Sequence, residues 1–145
     1  MMELPIFPAE AVKNSTFHEE GLKLLQQINP NPNLRELIAG LTWLAADACG
    51  SKMGALFVLD EKVAELRPAV GVGLPVAYLK GCDHLPLGAA CCGRAAQQRK
   101  PWFTSDVISD PLFEESRETA LESGIMAALS VPVILSDGRC IASLS

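Results

Sequence analysis

The fold is decided by an ordered run of signals over residues 92–138: Cys92-Gly93-Arg94-Ala95-Ala96, Pro101-Trp102-Phe103, Asp106-Val107, Asp110-Pro111-Leu112-Phe113, Gly124-Ile125, Leu129-Ser130-Val131-Pro132-Val133 and Asp137-Gly138. The small residues over 89–98 predict a helix that a neighbouring backbone can approach closely. Residues 101–104 fit a brief strand. Asp110 before Pro111 predicts a helix start, with Glu114 and Glu115 near the positive end of its dipole and Gly124 as its stop. Over 125–135, Ile125, Ala127, Leu129, Val131, Val133 and Leu135 fall on one side of a strand and Met126, Ala128, Ser130, Pro132 and Ile134 on the other, so both faces read as covered. Ser136-Asp137-Gly138-Arg139 is a hairpin turn, and a return strand begins at Cys140.

Upstream, residues 53–59 read as a strand, 60–62 as a turn and 64–70 as the hairpin partner, which Pro68 assigns to a sheet edge. Pro75 opens a short helix over 74–79, and a loop spans 81–88. Two amphipathic helices precede them. In the first, Thr16 and Glu19 form a capping box and Phe17, Gly21, Leu24, Leu25 and Ile28 share a face until Asn29-Pro30-Asn31-Pro32 ends it. The second starts at Asn33 with Glu36 closing the box; its stripe is Leu34, Leu37, Ile38, Leu41, Leu44, Ala45 and Ala48, and Gly50 stops it. Such stripes pack on a sheet or pair with a second copy of themselves. Residues 1–15, with prolines at 5 and 8, form an amino-terminal arm.

The chain has 145 residues, 49% of them apolar, a size and composition that suit one globular domain. A net charge of −5 and a pI near 5.0 provide no basic field for nucleic acid. No segment approaches the roughly 20 apolar residues of a membrane span, and the amino end lacks a basic start, so the expected location is the cytoplasm. Five cysteines, an odd number without a secreted framework, suit a reducing compartment.

The ordered run closely resembles a GAF domain, the small-molecule-sensing module of bacterial sensor histidine kinases and diguanylate cyclases. The resemblance extends over residues 16–145. It implies an α+β fold: a central antiparallel sheet of five or six strands, with amino-terminal helices on one face and pocket helices and loops on the other. Residues 81–96 resemble the family's pocket wall and 102–112 the segment completing it, which makes Cys82, Cys92, Gly93, Phe103, Asp106, Leu112 and Phe113 the candidate ligand-binding residues. The implied function is non-catalytic sensing of a small cytoplasmic ligand within a two-component or related signalling system, with dimerisation through the amino-terminal helices. Family members add a carboxy-terminal helix leading to an output domain; this sequence stops within a strand pattern, so the helix and a kinase or cyclase output are expected to be missing from it.

Two other readings compete. Within the GAF family, free methionine-(R)-sulfoxide reductases carry cysteines in a pattern similar to Gly81-Cys82, Leu85-Pro86, Gly88 and Cys92-Gly93, where a thiolate attacks the sulfoxide sulfur and a second thiol resolves it. Their further cysteine matches Ser116 here, and their carboxylates match Leu129 and Ser145. In the third reading the pocket is filled by its own side chains and the module only dimerises. Cys82, Cys91 and Cys92 also read simply as small packing residues. No spaced ligand set for a metal assembles around His84, the cyclic-nucleotide signature is not recoverable beyond Phe113 and Glu115, and no cysteine lies in the 110–124 helix for a bilin; the cofactor is left unknown. Asp106 reads as a pocket contact or, with Asp110, as a loop cap. Of Trp102 and Phe103, which point to opposite sides of a strand, Phe103 is the expected ligand contact.

Overall fold

The computed structural model describes residues 33–145 and the two-residue strand Ile6–Phe7. In chain order the elements are β1 (Ile6–Phe7), α1 (Leu34–Ala48), β2 (Gly54–Asp60), β3 (Glu65–Val72), α2 (Val76–Gly81), β4 (Leu85–Pro86), α3 (Ala90–Gln98), β5 (Trp102–Thr104), a 3-10 turn (Pro111–Phe113), α4 (Arg117–Glu122), β6 (Ala128–Ile134) and β7 (Cys140–Leu144). The predicted helix over 16–28 lies outside the described residues. Strands hydrogen-bond in the order β1-β3-β2-β7-β6-β5, with β4 added to β3. β1 runs parallel to β3, and the other six form a curled antiparallel sheet. The α+β expectation holds.

Two compact units share this path. Of the described residues, the first contains Ile6–Phe7, 33–55 and Val70–Leu74; the second is Leu56–Ala69 with Pro75–Ser145. In the first unit, Asn33 caps α1 as the sequence predicts: the Glu36 N–H donates to Asn33 Oδ1 at 3.0 Å, and the Asn33 N–H donates to Glu36 Oε2 at 3.2 Å. Gly50, at φ +70, ends the helix in a left-handed conformation that glycine adopts without strain. The stripe is another matter. Ala39, Gly40, Thr42, Trp43 and Leu44 are buried, whereas Leu34 is 72% and Leu41 45% exposed. The buried set is rotated away from the predicted stripe and shares only Leu44 with it.

In the second unit, the hairpin at Asp137-Gly138 forms as expected: Gly138 has φ +86, Leu135 N–H donates to Arg139 O at 2.9 Å, and Arg139 N–H donates to Asp137 Oδ1 at 3.0 Å. Pro68 marks a gap, not a free edge. β4 pairs with Glu65 and Leu66 of β3, and β1 with Gly71 and Val72, which leaves Pro68 between the two pairings. The single helix expected over 110–124 is split. Asp110 caps a 3-10 turn, with Leu112 N–H donating to its Oδ1 at 2.9 Å, and α4 begins only at Arg117. Arg117 reaches back to donate from Nε to Val107 O at 3.2 Å and from Nη2 to Asp110 O at 2.9 Å, so its side chain ties the loop beneath the break.

Strand pairing assigns the faces of the sheet. Trp102 lies opposite Ser130, Phe103 opposite Leu129, Pro132 opposite Ser143, and Phe57 opposite Ser143. Helix α3 packs over β5, β6 and β7. Its side of the sheet holds Phe57, Thr104, Ser130 and Ser143, all buried to within 1% of complete. The other side carries Val58, Phe103, Leu129, Val131 and Val133, each exposed by 38–64%. On β6, α3 covers the face that carries Ser130, and on the other face Leu129, Val131 and Val133 are 38–43% exposed, short of the full covering expected.

Candidate functional site

Helix α3 can lie close because of Gly93. A Cβ built there would sit 2.7 Å from Pro86 O and 3.2 Å from Gly88 N, both backbone atoms, and Gly88 N–H donates to Gly93 O at 2.9 Å. This contact locks the 81–88 loop against the helix and buries the cysteines that follow it. Cys91 and Cys92 are 2% and 5% exposed, and Cys82, at the carboxy-terminal cap of α2, is 4% exposed.

These thiols form one cluster with hydroxyls from the sheet. Cys91 Sγ donates to Trp102 O at 3.1 Å and Ala128 O at 3.4 Å, and lies beside Ser130 and Thr104. Ser130 Oγ and Ser145 Oγ share a hydrogen bond of 2.5 Å, and the Ser145 hydroxyl lies beside Cys92. Tyr78, from α2, is within hydrogen-bonding reach of Cys82 and close enough to Cys91 and Cys92 to feel their charge if they ionised. Among the described residues, two buried side-chain polar atoms have no hydrogen-bond partner: Ser143 Oγ, fully buried on this face of β7, and Arg94 Nε, whose guanidinium stacks 5.5 Å from the Trp102 ring centre.

Burial determines the protonation of the cluster. It raises the thiols of Cys82 and Cys91 above their ordinary value and pushes Cys92, next to both, up to about 12. The Tyr78 phenol rises for the same reason. At neutral pH all four groups are protonated and uncharged, and a protonated thiol is a poor nucleophile.

The candidate residues fall into three groups. Cys82, Cys92 and Gly93 are brought together, and Phe113 is buried on the 3-10 turn that packs on α3, with Leu112 half-buried beside it. Phe103 is on the other side of the sheet, 64% exposed, while Trp102 takes the α3 side. Asp106 is exposed, and its oxygens are engaged within its own loop: Ile108 N–H donates to Oδ1 at 3.0 Å and Ser109 Oγ to Oδ2 at 2.7 Å, which lowers its carboxyl below the usual range. Asp110 accepts from Thr104 Oγ1 at 2.8 Å as well as capping the turn. Both aspartates thus act as caps. Sequence reading assigned no site role to Tyr78, Ser130 and Ser143 and named Ser145 only as a position matched to the reductases' carboxylates, although the alternation of β6 and β7 was a signal that three serines share one face.

The GAF domain profile matches residues 31–145. The chain belongs to the GAF family. No curated protein matches its sequence. Among solved structures, this GAF domain is similar to the free methionine-R-sulfoxide reductase from Neisseria meningitidis in complex with its substrate (TM-score 0.64, 22% identity, 92% of this chain and 78% of that one covered). It is similar to a protein assigned as a GAF sensor from Burkholderia vietnamiensis (0.62, 23%, 87% and 71%). It also resembles the GAF domain of a phosphoenolpyruvate-protein phosphotransferase from Coxiella burnetii (0.62, 23%, 86% and 74%). Likeness at this level of identity carries the fold. Sensors and reductases share it, so the residues must separate the two activities. No helix among the described residues is long and apolar enough to cross a membrane.

Proposed function

We propose that this GAF domain is a non-catalytic sensor that binds a small cytoplasmic molecule on the α3 side of its sheet. The observation that supports this reading is the chemistry of the cluster: three buried, protonated thiols and a set of hydroxyls can hold a ligand, but offer no ionised nucleophile. Of the positions matched to the reductases' further groups, Ser116 and Ser145 are hydroxyls and Leu129 faces the opposite side of the sheet. An acid to hold a substrate amine is thus missing from both carboxylate positions. The expected result is stabilisation of the purified chain by at least one member of a broad metabolite panel in a thermal-unfolding screen; no stabilisation across the panel counts against the reading.

The reductase is the second reading, favoured by the proximity of Cys82 and Cys92. Turnover of free methionine-(R)-sulfoxide that disappears in Cys92→Ser would establish it. For the partner, the outward stripe of α1 supports a homodimer, since Leu34 and Leu41 are large, apolar and exposed. Sedimentation of the Leu34→Glu/Leu41→Glu variant as a monomer, with wild type as a dimer, is the expected outcome; identical sedimentation rejects it. The signal would pass to an output domain carried by a longer chain or a partner.

A further inference from the structure

The corner between α2 and β4 is held to β3 by a short junction. β4 pairs only Leu85 with Leu66 and Pro86 with Glu65, and Pro86 has no N–H to give the ladder. One residue on, Leu87 N–H donates to Ala64 O at 3.1 Å, and Ala64 sits at φ +55, a left-handed conformation that a residue with a Cβ disfavours. The same corner carries Cys82 of the thiol cluster at its start and, at its end, Gly88, whose N–H donates to Gly93 O of α3 at 2.9 Å. With so little backbone pairing, side-chain contacts carry a real share of its attachment to β3.

One side chain spans the junction. His84 presents a ring nitrogen to each of two carboxylates: Nδ1 is 2.9 Å from Glu65 Oε2 on β3, and Nε2 is 3.7 Å from Asp83 Oδ2. A neutral imidazole has a single N–H. With that hydrogen on Nδ1, the Nε2 lone pair faces Asp83; with it on Nε2, the Nδ1 lone pair meets Glu65 at hydrogen-bond distance, and two acceptors repel. The imidazolium alone turns an N–H to both sides and sets a positive charge between two negative ones. Among the described residues, the cations of the adjoining elements, Arg67 on β3 and Lys80 in the last turn of α2, form no ion pair with Glu65 or Asp83. The neighbouring Cys82 thiol is raised by burial and stays uncharged where an imidazole titrates. His84 itself is exposed and exchanges its proton directly with solvent.

We propose that His84 is a proton-operated clasp on the wall of the thiol cluster: taking up a proton ties the 82–88 corner to β3, and losing it loosens that corner. Mild acid thereby firms the segment that joins Cys82 to the Gly88–Gly93 contact. The clasp needs no ligand, so it stands or falls apart from the sensor reading. Both partners of the bridge are open to water, which keeps its effect small and local.

The test is amide hydrogen exchange of the 15N-labelled full chain at about pH 5.5 and about pH 8, which bracket the titration of an ordinary imidazole. After correction for intrinsic exchange, the Leu87 amide, whose bond to Ala64 O reports the junction, is expected to be about three-fold more protected at the acid end, the size of effect an exposed ion pair gives. His84→Gln, which keeps a hydrogen-bond donor without the charge, and Glu65→Gln are each expected to remove the difference, while the amides of β2 and β7 keep their protection. Equal protection of Leu87 at both pH values in wild type overturns the clasp. A difference that survives in either variant, or that β2 and β7 share in equal measure, overturns it as well.

Discussion

The two faces of the sheet in the Leu56–Ser145 part of the chain differ in what they bury. Beneath α3, hydroxyls and thiols are sealed from water, and Ser130 and Ser143 are completely buried. On the other side Val58, Phe103, Leu129, Val131 and Val133 are 38–64% exposed. Polar groups become buried at a cost, and that cost is tolerated where they serve a purpose other than packing. The α3 side is therefore where binding chemistry is to be sought. The other side presents large, partly exposed apolar groups.

Phenylalanine occurs on both faces, which allows a direct contrast. Phe57→Ala, on the sealed side, is expected to cost about 3–5 kcal/mol in denaturant unfolding, whereas Phe103→Ala should change stability by less than about 0.5 kcal/mol. A Phe103→Ala loss as large as that of Phe57→Ala would break the comparison by showing that the open face is covered in solution. Next in size is Gly93→Ala. Its methyl would meet backbone at 2.7 Å, with no flexible side chain to yield, so a loss of about 1–3 kcal/mol is expected from the same measurement. Unchanged stability would mean that α3 and the 81–88 loop are less tightly apposed.

The alkaline limb of stability sharpens the account of the thiols. Cys92 moves from 9.0 to about 12 on folding, so above pH 9 the unfolded chain loses its proton first and the folded state retains it. Stability from this group is complete below pH 9 and declines as pH rises towards 12. Chemical denaturation across that window should therefore show a shallower decline for Cys92→Ala than for wild type; parallel curves would indicate an exposed thiol. The smallest effect is expected at Ser143. Because its hydroxyl has no partner, Ser143→Ala in the ligand-free chain should be neutral or stabilising by up to about 1 kcal/mol, and a clear loss would reveal a hydrogen bond.

Local chemistry made much of the fold legible in the sequence. The Asn33 and Glu36 box, the Asp110-Pro111 start and the Asp137-Gly138 turn each depend on a few adjacent residues, and each formed where it was read. Features decided at a distance were not legible. The buried side of α1, which holds Ala39, Gly40 and Trp43, does not follow from the leucine spacing, and β4 is only two residues long, formed by pairing with Glu65 and Leu66. The break before α4 depends on Arg117 reaching Val107 and Asp110. At the site, the cysteine spacing revealed Cys82, Cys92 and Gly93. The choice of Phe103 over Trp102 failed to bring it to that cluster, because strand alternation separates the two rings without saying which side α3 will cover.

Binding without turnover is the central claim, and it is tested most directly by incubating the reduced protein with free methionine-(R)-sulfoxide and dithiothreitol and following methionine formation. The account predicts no methionine above the protein-free control. Sustained turnover by wild type that is lost in Cys92→Ser would contradict it.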